Sequence, residues 1–284
     1  MKIWVYIKKI FHALLLVTFT LIIGCSSLFF YPKKDFVDNL TASKFNPEDI
    51  YFRTLDGLKL HGWLFKAKED RGTILVLHGN AENISTHVNS VLWLVKEGFN
   101  VFIFDYRGYG KSEGEPNIPG IHRDAEAALE TLINLHRINN NNVIILGQSL
   151  GGAVSVYLVA NSPYKQRIKA LVIDSVFSSY RRIMREKLSK IFITWPFQYP
   201  LSLFIDDQYS PEKWIKKVTP IPILIFHGEK DTIVPIHHGV FLYETAFEPK
   251  KFHKTTTPGH IMSFSEESAR KYFLSYVWDI LNNP

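Results

Sequence analysis

Gly147-Gln148-Ser149-Leu150-Gly151 separates the apolar run Val143-Ile144-Ile145-Leu146 from the small-residue run Gly152-Ala153-Val154-Ser155-Val156. That order predicts a buried strand, a sharp turn and a helix. A serine at the apex of such a turn is held in a strained backbone conformation with its hydroxyl above the sheet, and the flanking glycines let strand and helix pass closely. A pentapeptide this short arises by chance, so its meaning depends on its surroundings.

Those surroundings alternate. Thr73-Ile74-Leu75-Val76-Leu77 is a continuous apolar run, as a strand buried on both faces requires. Strands near 101–104, 143–146 and 170–173 interleave with helices near 88–96, 121–135 and 150–160, which predicts a parallel sheet with helices on both faces. Upstream, 50–53 and 58–65 read as two antiparallel edge strands turning at Asp56-Gly57. Between 177 and 219 the alternation stops, and an inserted cap is expected. Its basic run, Arg181, Arg182, Arg185, Lys187 and Lys190, reads as a solvated helix face. The stretch from Ile191 to Phe197 either lines an acyl pocket, faces lipid or packs on its own domain. Regularity returns with a strand at 222–226, a helix near 236–246 and a last strand at 252–257. A C-terminal helix then opens on a capping box, Ser263-x-x-Glu266, and sets Tyr272, Phe273, Tyr276, Val277, Ile280 and Leu281 on one face.

With 284 residues, 46% of them hydrophobic, the chain can bury a full core. Its formal charge is +6, but Lys2, Lys8 and Lys9 lie in residues 1–24; without them 30 basic residues face 27 acidic ones, a net +3 too weak to argue for nucleic acid. The single cysteine permits neither an internal disulfide nor a cysteine metal site. None of the eleven histidines falls in H-E-x-x-H, and the adjacent pair His237-His238 is expected to point two ways, so no metal is expected. Residues 1–9 are basic and 10–23 apolar, the layout of a secretory signal peptide. Ile22-Ile23-Gly24-Cys25 resembles the lipobox of bacterial lipoproteins. That resemblance implies cleavage after residue 24, acylation of Cys25, and, from Ser26, sorting to the outer membrane of a bacterial envelope. The competing reading is an uncut anchor, since 10–32 carries no charged residue. Either way the chain is tethered, through a connector at 25–47.

A serine hydroxyl is a poor nucleophile at neutral pH and needs a histidine to take its proton and a carboxylate to orient that histidine. Asp231 follows the strand ending at Phe226, and His260 follows the last strand at the turn Pro258-Gly259. Asp174, after the preceding core strand, is a rival acid; His253 and His237 are rival bases. For the oxyanion, Leu77-His78-Gly79-Asn80-Ala81 ends a buried strand and turns sharply, so the Asn80 backbone N–H can oppose that of Leu150, with Ala81 the alternative donor. His78 and His227 are expected to brace loops, and Asp105 to Ser112 to form a structural turn beside the site.

Together, the elbow, His78-Gly79-Asn80-Ala81, Asp105-Tyr106-Arg107-Gly108-Tyr109-Gly110-Lys111-Ser112 and Gly228-x-x-Asp231-x-x-Val234-Pro235 resemble the landmarks of the α/β-hydrolase superfamily, over 48–283. The chain order Ser149, Asp231, His260 is also that of the superfamily. The resemblance implies an α/β fold, a mostly parallel eight-stranded sheet with helices on both faces and a small cap, in a domain at 48–284. It also implies acyl hydrolysis of carboxylic or fatty-acyl esters or thioesters through Ser149, Asp231 and His260, without metal or organic cofactor. The partners expected are an ester substrate and, through the anchor, a membrane. Peptide cleavage by the same triad, and a lipid-binding lipoprotein without turnover, stay open.

Overall fold

The computed structural model describes residues 30–257 and 259–282. The signal peptide expected at 1–24 and the expected acylation site Cys25 lie outside the described residues, as does Pro258. Among the described residues no helix is long and apolar enough to cross a membrane.

The strands are β1 (Glu48–Arg53), β2 (Lys59–Phe65), β3 (Gly72–Leu77), β4 (Phe99–Asp105), β5 (Val143–Gln148), β6 (Ile168–Asp174), β7 (Ile223–Gly228) and β8 (Lys250–Thr255). They form one eight-stranded sheet in the order β1-β2-β4-β3-β5-β6-β7-β8. The β1–β2 and β2–β4 pairs are antiparallel and all others parallel. The helices are α1 (Leu40–Ser43), α2 (Ile84–His87), α3 (Trp93–Lys96), α4 (Ile118–Asn134), α5 (Leu150–Asn161), α6 (Tyr180–Ser189), α7 (Gln198–Ser202), α8 (Pro211–Trp214), α9 (His237–Thr245) and α10 (Glu267–Asn282).

The central strands read as unbroken apolar runs because successive side chains enter different cores. Leu75, Leu77, Ile145, Leu171 and Ile173 join α4, α5 and α9. Ile74, Val76, Ile144, Leu146 and Val172 join α2, α3 and α10 on the opposite face. Between β6 and β7, α6 and α7 pack on each other, whereas α8 returns to pack beside α5.

Two helical expectations are corrected. The stretch near 88–96 is not one helix: after α2 ends at His87 it holds a 3₁₀ turn at Val88–Ser90 and then the single turn of α3. The Ser90 hydroxyl donates to the His87 carbonyl and the Trp93 indole to that of Ser90, competing with the helical ladder. The capping box does not form either: Ser263 Oγ donates to Asp174 Oδ1 at 2.6 Å, and Glu266 Oε1 accepts the N–H groups of Thr256 and Thr257. A buried carboxylate and the unpaired donors leaving β8 claim both side chains, and α10 starts only at Glu267.

The connector is part of the fold from Phe30 onward. Phe30 is buried, Pro32 bridges to Glu82, and the Lys33 carbonyl accepts both the Gly110 N–H and the Asn83 side-chain amide. It straps the turn that follows β3.

The turn after β4 is tied down by Arg107. Its guanidinium donates to both Asp124 of α4 (2.8 and 3.0 Å) and Asp56 of the β1–β2 turn (2.9 and 3.1 Å). Burial pushes the Asp124 carboxyl up to about 6 even beside that guanidinium. Arg107→Met strands this carboxylate and is expected to lower unfolding free energy by about 3–5 kcal/mol, read from urea denaturation.

Candidate active site

β5, β7 and β8 all end on one edge of the sheet, and the three residues that follow them converge there. Ser149 sits at φ 53° and ψ −115°, a strained conformation for a residue with a Cβ. Its N–H is held by the Asp174 carbonyl at 2.9 Å. The elbow closes only because position 151 is glycine, since a Cβ there would lie 2.0 Å from the Leu77 carbonyl oxygen. His260 is delivered after β8 through Gly259 at φ 130°, a conformation that favours glycine.

The hydrogen-bond relay is continuous. Ser149 Oγ and His260 Nε2 are 2.7 Å apart, and His260 Nδ1 is 2.7 Å from Asp231 Oδ2. Asp231 Oδ1 accepts the N–H groups of Ile233 and Val234. Burial opposes ionisation of Asp231, but the bond to His260 and these two donors outweigh it and hold its carboxyl below the ordinary range. Asp231 thereby orders its own loop while orienting the imidazole.

The rivals stand apart. Asp174 accepts from Ser263 and Ser175 instead of a histidine, and burial lifts its carboxyl to about 6. His253 stacks on Tyr272 at 4.5 Å, and His237 pairs with Glu186. His227 donates to the Val234 carbonyl and His78 to that of Gly79, so both brace loops.

The turn after β3 holds Ala81 and Glu82 at positive φ, 70° and 57°. Asn80 Oδ1 clamps it by accepting the Tyr31 N–H (3.1 Å), the Ala81 N–H (2.8 Å) and the Tyr109 hydroxyl (2.7 Å). His87 Nε2 donates to the Ala81 carbonyl at 3.0 Å. Across the gap, the Leu150 N–H opens α5 and has no intrahelical acceptor. Sequence reasoning missed Tyr31, His87 and Tyr109; only Tyr109 carried a signal, as a member of the run from Asp105 to Ser112.

Ser149, Asn80, Leu150 and His260 open into a cavity of about 600 Å³ whose far wall is apolar, with Phe177, Ile183, Met184 and Ile191. Of the Ile191 to Phe197 stretch only Ile191 lines it; Phe192 (92% exposed), Ile193, Trp195 and Phe197 stand in solvent on the same insertion. Of the basic run Lys190 is exposed, as a solvated face requires, but the three arginines are not simply solvated. Arg181 donates to the Ile205 carbonyl, Arg182 pairs with Glu212 and Arg185 donates to Ser202, all within the insertion.

The histidine pair does not point two ways. His237 and His238 open a helix, where neighbours diverge far less than in a strand, and their rings stack at 4.4 Å with both Nε2 atoms facing Glu186 of α6 (2.9 and 3.2 Å). The three offer ligand atoms within 4.8 Å. His238 Nδ1, however, accepts the Ser178 N–H at 3.1 Å, so its Nε2 carries the proton and donates to Glu186. A metal-bound imidazole has the opposite arrangement, its second nitrogen donating outward. Burial lowers His238 to about 4 and keeps it neutral. The cluster therefore latches α6 to α9.

Comparison with known proteins adds relatives to this geometry. A family model described as Serine aminopeptidase, S33 matches residues 68–213. The chain is 32% identical over 264 residues to the Escherichia coli (strain K12) protein YfhR, covering 90% of this chain and 88% of that protein. It is 34% identical over 221 residues to protein bem46 of Schizosaccharomyces pombe, covering 75% and 71%. Among solved structures, the Pyrococcus furiosus esterase Pf2001 superposes with a TM-score of 0.71 at 22% identity, covering 89% of this chain and 97% of that one, a likeness of fold.

Proposed function

Because the chain belongs to the α/β-hydrolase family whose model is described as Serine aminopeptidase, S33, we propose that it is a serine hydrolase cleaving carboxylic or fatty-acyl esters or thioesters through an acyl-enzyme on Ser149. The relay from Ser149 through His260 to Asp231, opening on an apolar cavity, carries this reading.

In the first half-reaction His260 Nε2 takes the Ser149 proton as Oγ attacks the acyl carbon, and Asp231 stabilises the imidazolium. The oxyanion falls between the backbone N–H groups of Leu150 and Asn80. Engagement of the Ala81 N–H by the Asn80 side chain supports Asn80 as the donor. His260 then protonates the departing alkoxide or thiolate, and water repeats the sequence to free the acid. An aminopeptidase must also fix the cationic amine of its substrate. The cavity wall carries two lysines, Lys187 and Lys190, and no carboxylate among the described residues, which favours acyl esters. Placement at a bacterial envelope, through Cys25 or an uncut anchor, is supported by the N-terminal sequence, and the exposed Phe192, Ile193 and Trp195 suit contact with lipid.

The test is a p-nitrophenyl ester series of rising acyl length beside alanine p-nitroanilide. Ester kcat/KM is expected to rise about fourfold per methylene until the cavity is filled, as burial of about 0.8 kcal/mol per methylene dictates. Preferential cleavage of the anilide would replace the esterase reading with peptide hydrolysis.

A further inference from the structure

Five cations lie on or just beyond α6, and three of them, the arginines, are tied into the insertion. Lys190 lines the cavity and donates to the Thr232 carbonyl at 3.1 Å. Lys187 also lines the cavity and is half-buried, and its ammonium makes no hydrogen bond or ion pair among the described residues. Burial, and then Lys190, pull its ammonium below the ordinary lysine value against the opposing fields of Asp231 and Glu186. Its helix does not drift, because the preceding residue, Glu186, is the one latched to His237 and His238.

A partly desolvated ammonium facing apolar side chains is an unfavourable arrangement when empty. It becomes favourable once an anion enters and forms charge-assisted hydrogen bonds. Resting on the hydrolase reading above, we infer that the substrate carries an anionic group, a carboxylate or phosphate, that seats at Lys187 with Lys190 at its edge, while the acyl chain follows Ile183, Met184 and Ile191. The same lysines that disfavour a cationic amine then select the ester. Hydrogen bonds to charged groups predict a preference on the order of 10- to 100-fold in kcat/KM over the uncharged ester.

Two substrate pairs locate the anion. p-Nitrophenyl hemiesters of C4 to C8 diacids, against length-matched p-nitrophenyl alkanoates, place it on the acyl side; acylglycerol phosphates, against the corresponding monoacylglycerols, place it on the leaving group. In one pair the charged member is expected to win by that margin in the native enzyme. The ratio should collapse towards one in Lys187→Met and persist in Lys187→Arg. Ser149-dependent turnover of neutral esters without a charged preference in either pair overturns the anion site and leaves the hydrolase. Without Ser149-dependent turnover of any ester the hydrolase reading fails, and binding decides the anion site: Ser149→Ala protein titrated with octyl phosphate should bind it at least about tenfold more tightly than octanol. Equal affinities, or a preference unchanged by Lys187→Met, overturn it.

Discussion

Ser149→Ala is expected to lower kcat for p-nitrophenyl ester hydrolysis on the order of 10⁶-fold, the loss that follows when the nucleophile of a triad acting as a unit is removed. What remains above the uncatalysed rate would come from substrate binding and from the N–H groups of Leu150 and Asn80. Alanine keeps a Cβ at φ 53°, so the strain of the elbow is retained and the urea midpoint should scarcely move. Rate and stability are therefore separable in this variant. A loss below tenfold with an unchanged midpoint would mean that the relay is structural, and would turn attention to a lipid-binding protein without turnover.

Asp231→Asn is the second large effect, about 10⁴-fold in kcat, because an amide cannot hold the Nδ1–H tautomer of His260 or stabilise the imidazolium. Asp174→Asn, one strand away, should cost far less, since Asp174 bonds Ser263 and Ser175 instead. The two carboxyls also separate by pH. Folding depresses the pKa of Asp231, so its contribution to stability is present above the ordinary value of 3.8 and is lost as pH falls through the folded value. Folding raises that of Asp174 to about 6, so its contribution is full below 3.8 and is lost as pH rises toward 6. Denaturation of the two variants across pH 3 to 8 should show opposite departures from the parent. Equal rate losses in both would remove Asp231 from its place behind His260.

The sheet was legible because each central strand repeats one physical demand, burial on both faces, and ends where a turn must begin. Ser149, Asp231 and His260 share that logic: each follows a strand, so a correct strand reading brings them to one edge. The remainder depends on partners distant in sequence. Nothing local to Glu266 reveals that Thr256 and Thr257 need an acceptor, and nothing local to Arg181, Arg182 or Arg185 reveals that residues 17 to 30 positions away accept their hydrogen bonds. The histidine pair was misread because a two-way split is a property of strands, and His237 begins a helix. Tyr31 carried no signal, since its role is to donate a backbone N–H to a residue 49 positions on.

That contact makes the choice of first residue in any soluble preparation a catalytic variable. A protein cut at Glu48, where the sheet starts, would shed the Tyr31 donor on Asn80 and the Lys33 carbonyl that Gly110 and Asn83 share. Its oxyanion turn would relax, and the resulting silence toward esters would be mistaken for a requirement for lipid. A protein begun at or before Phe30 keeps the turn braced, so any dependence on a bilayer that it still shows belongs to the surface and not to the cut.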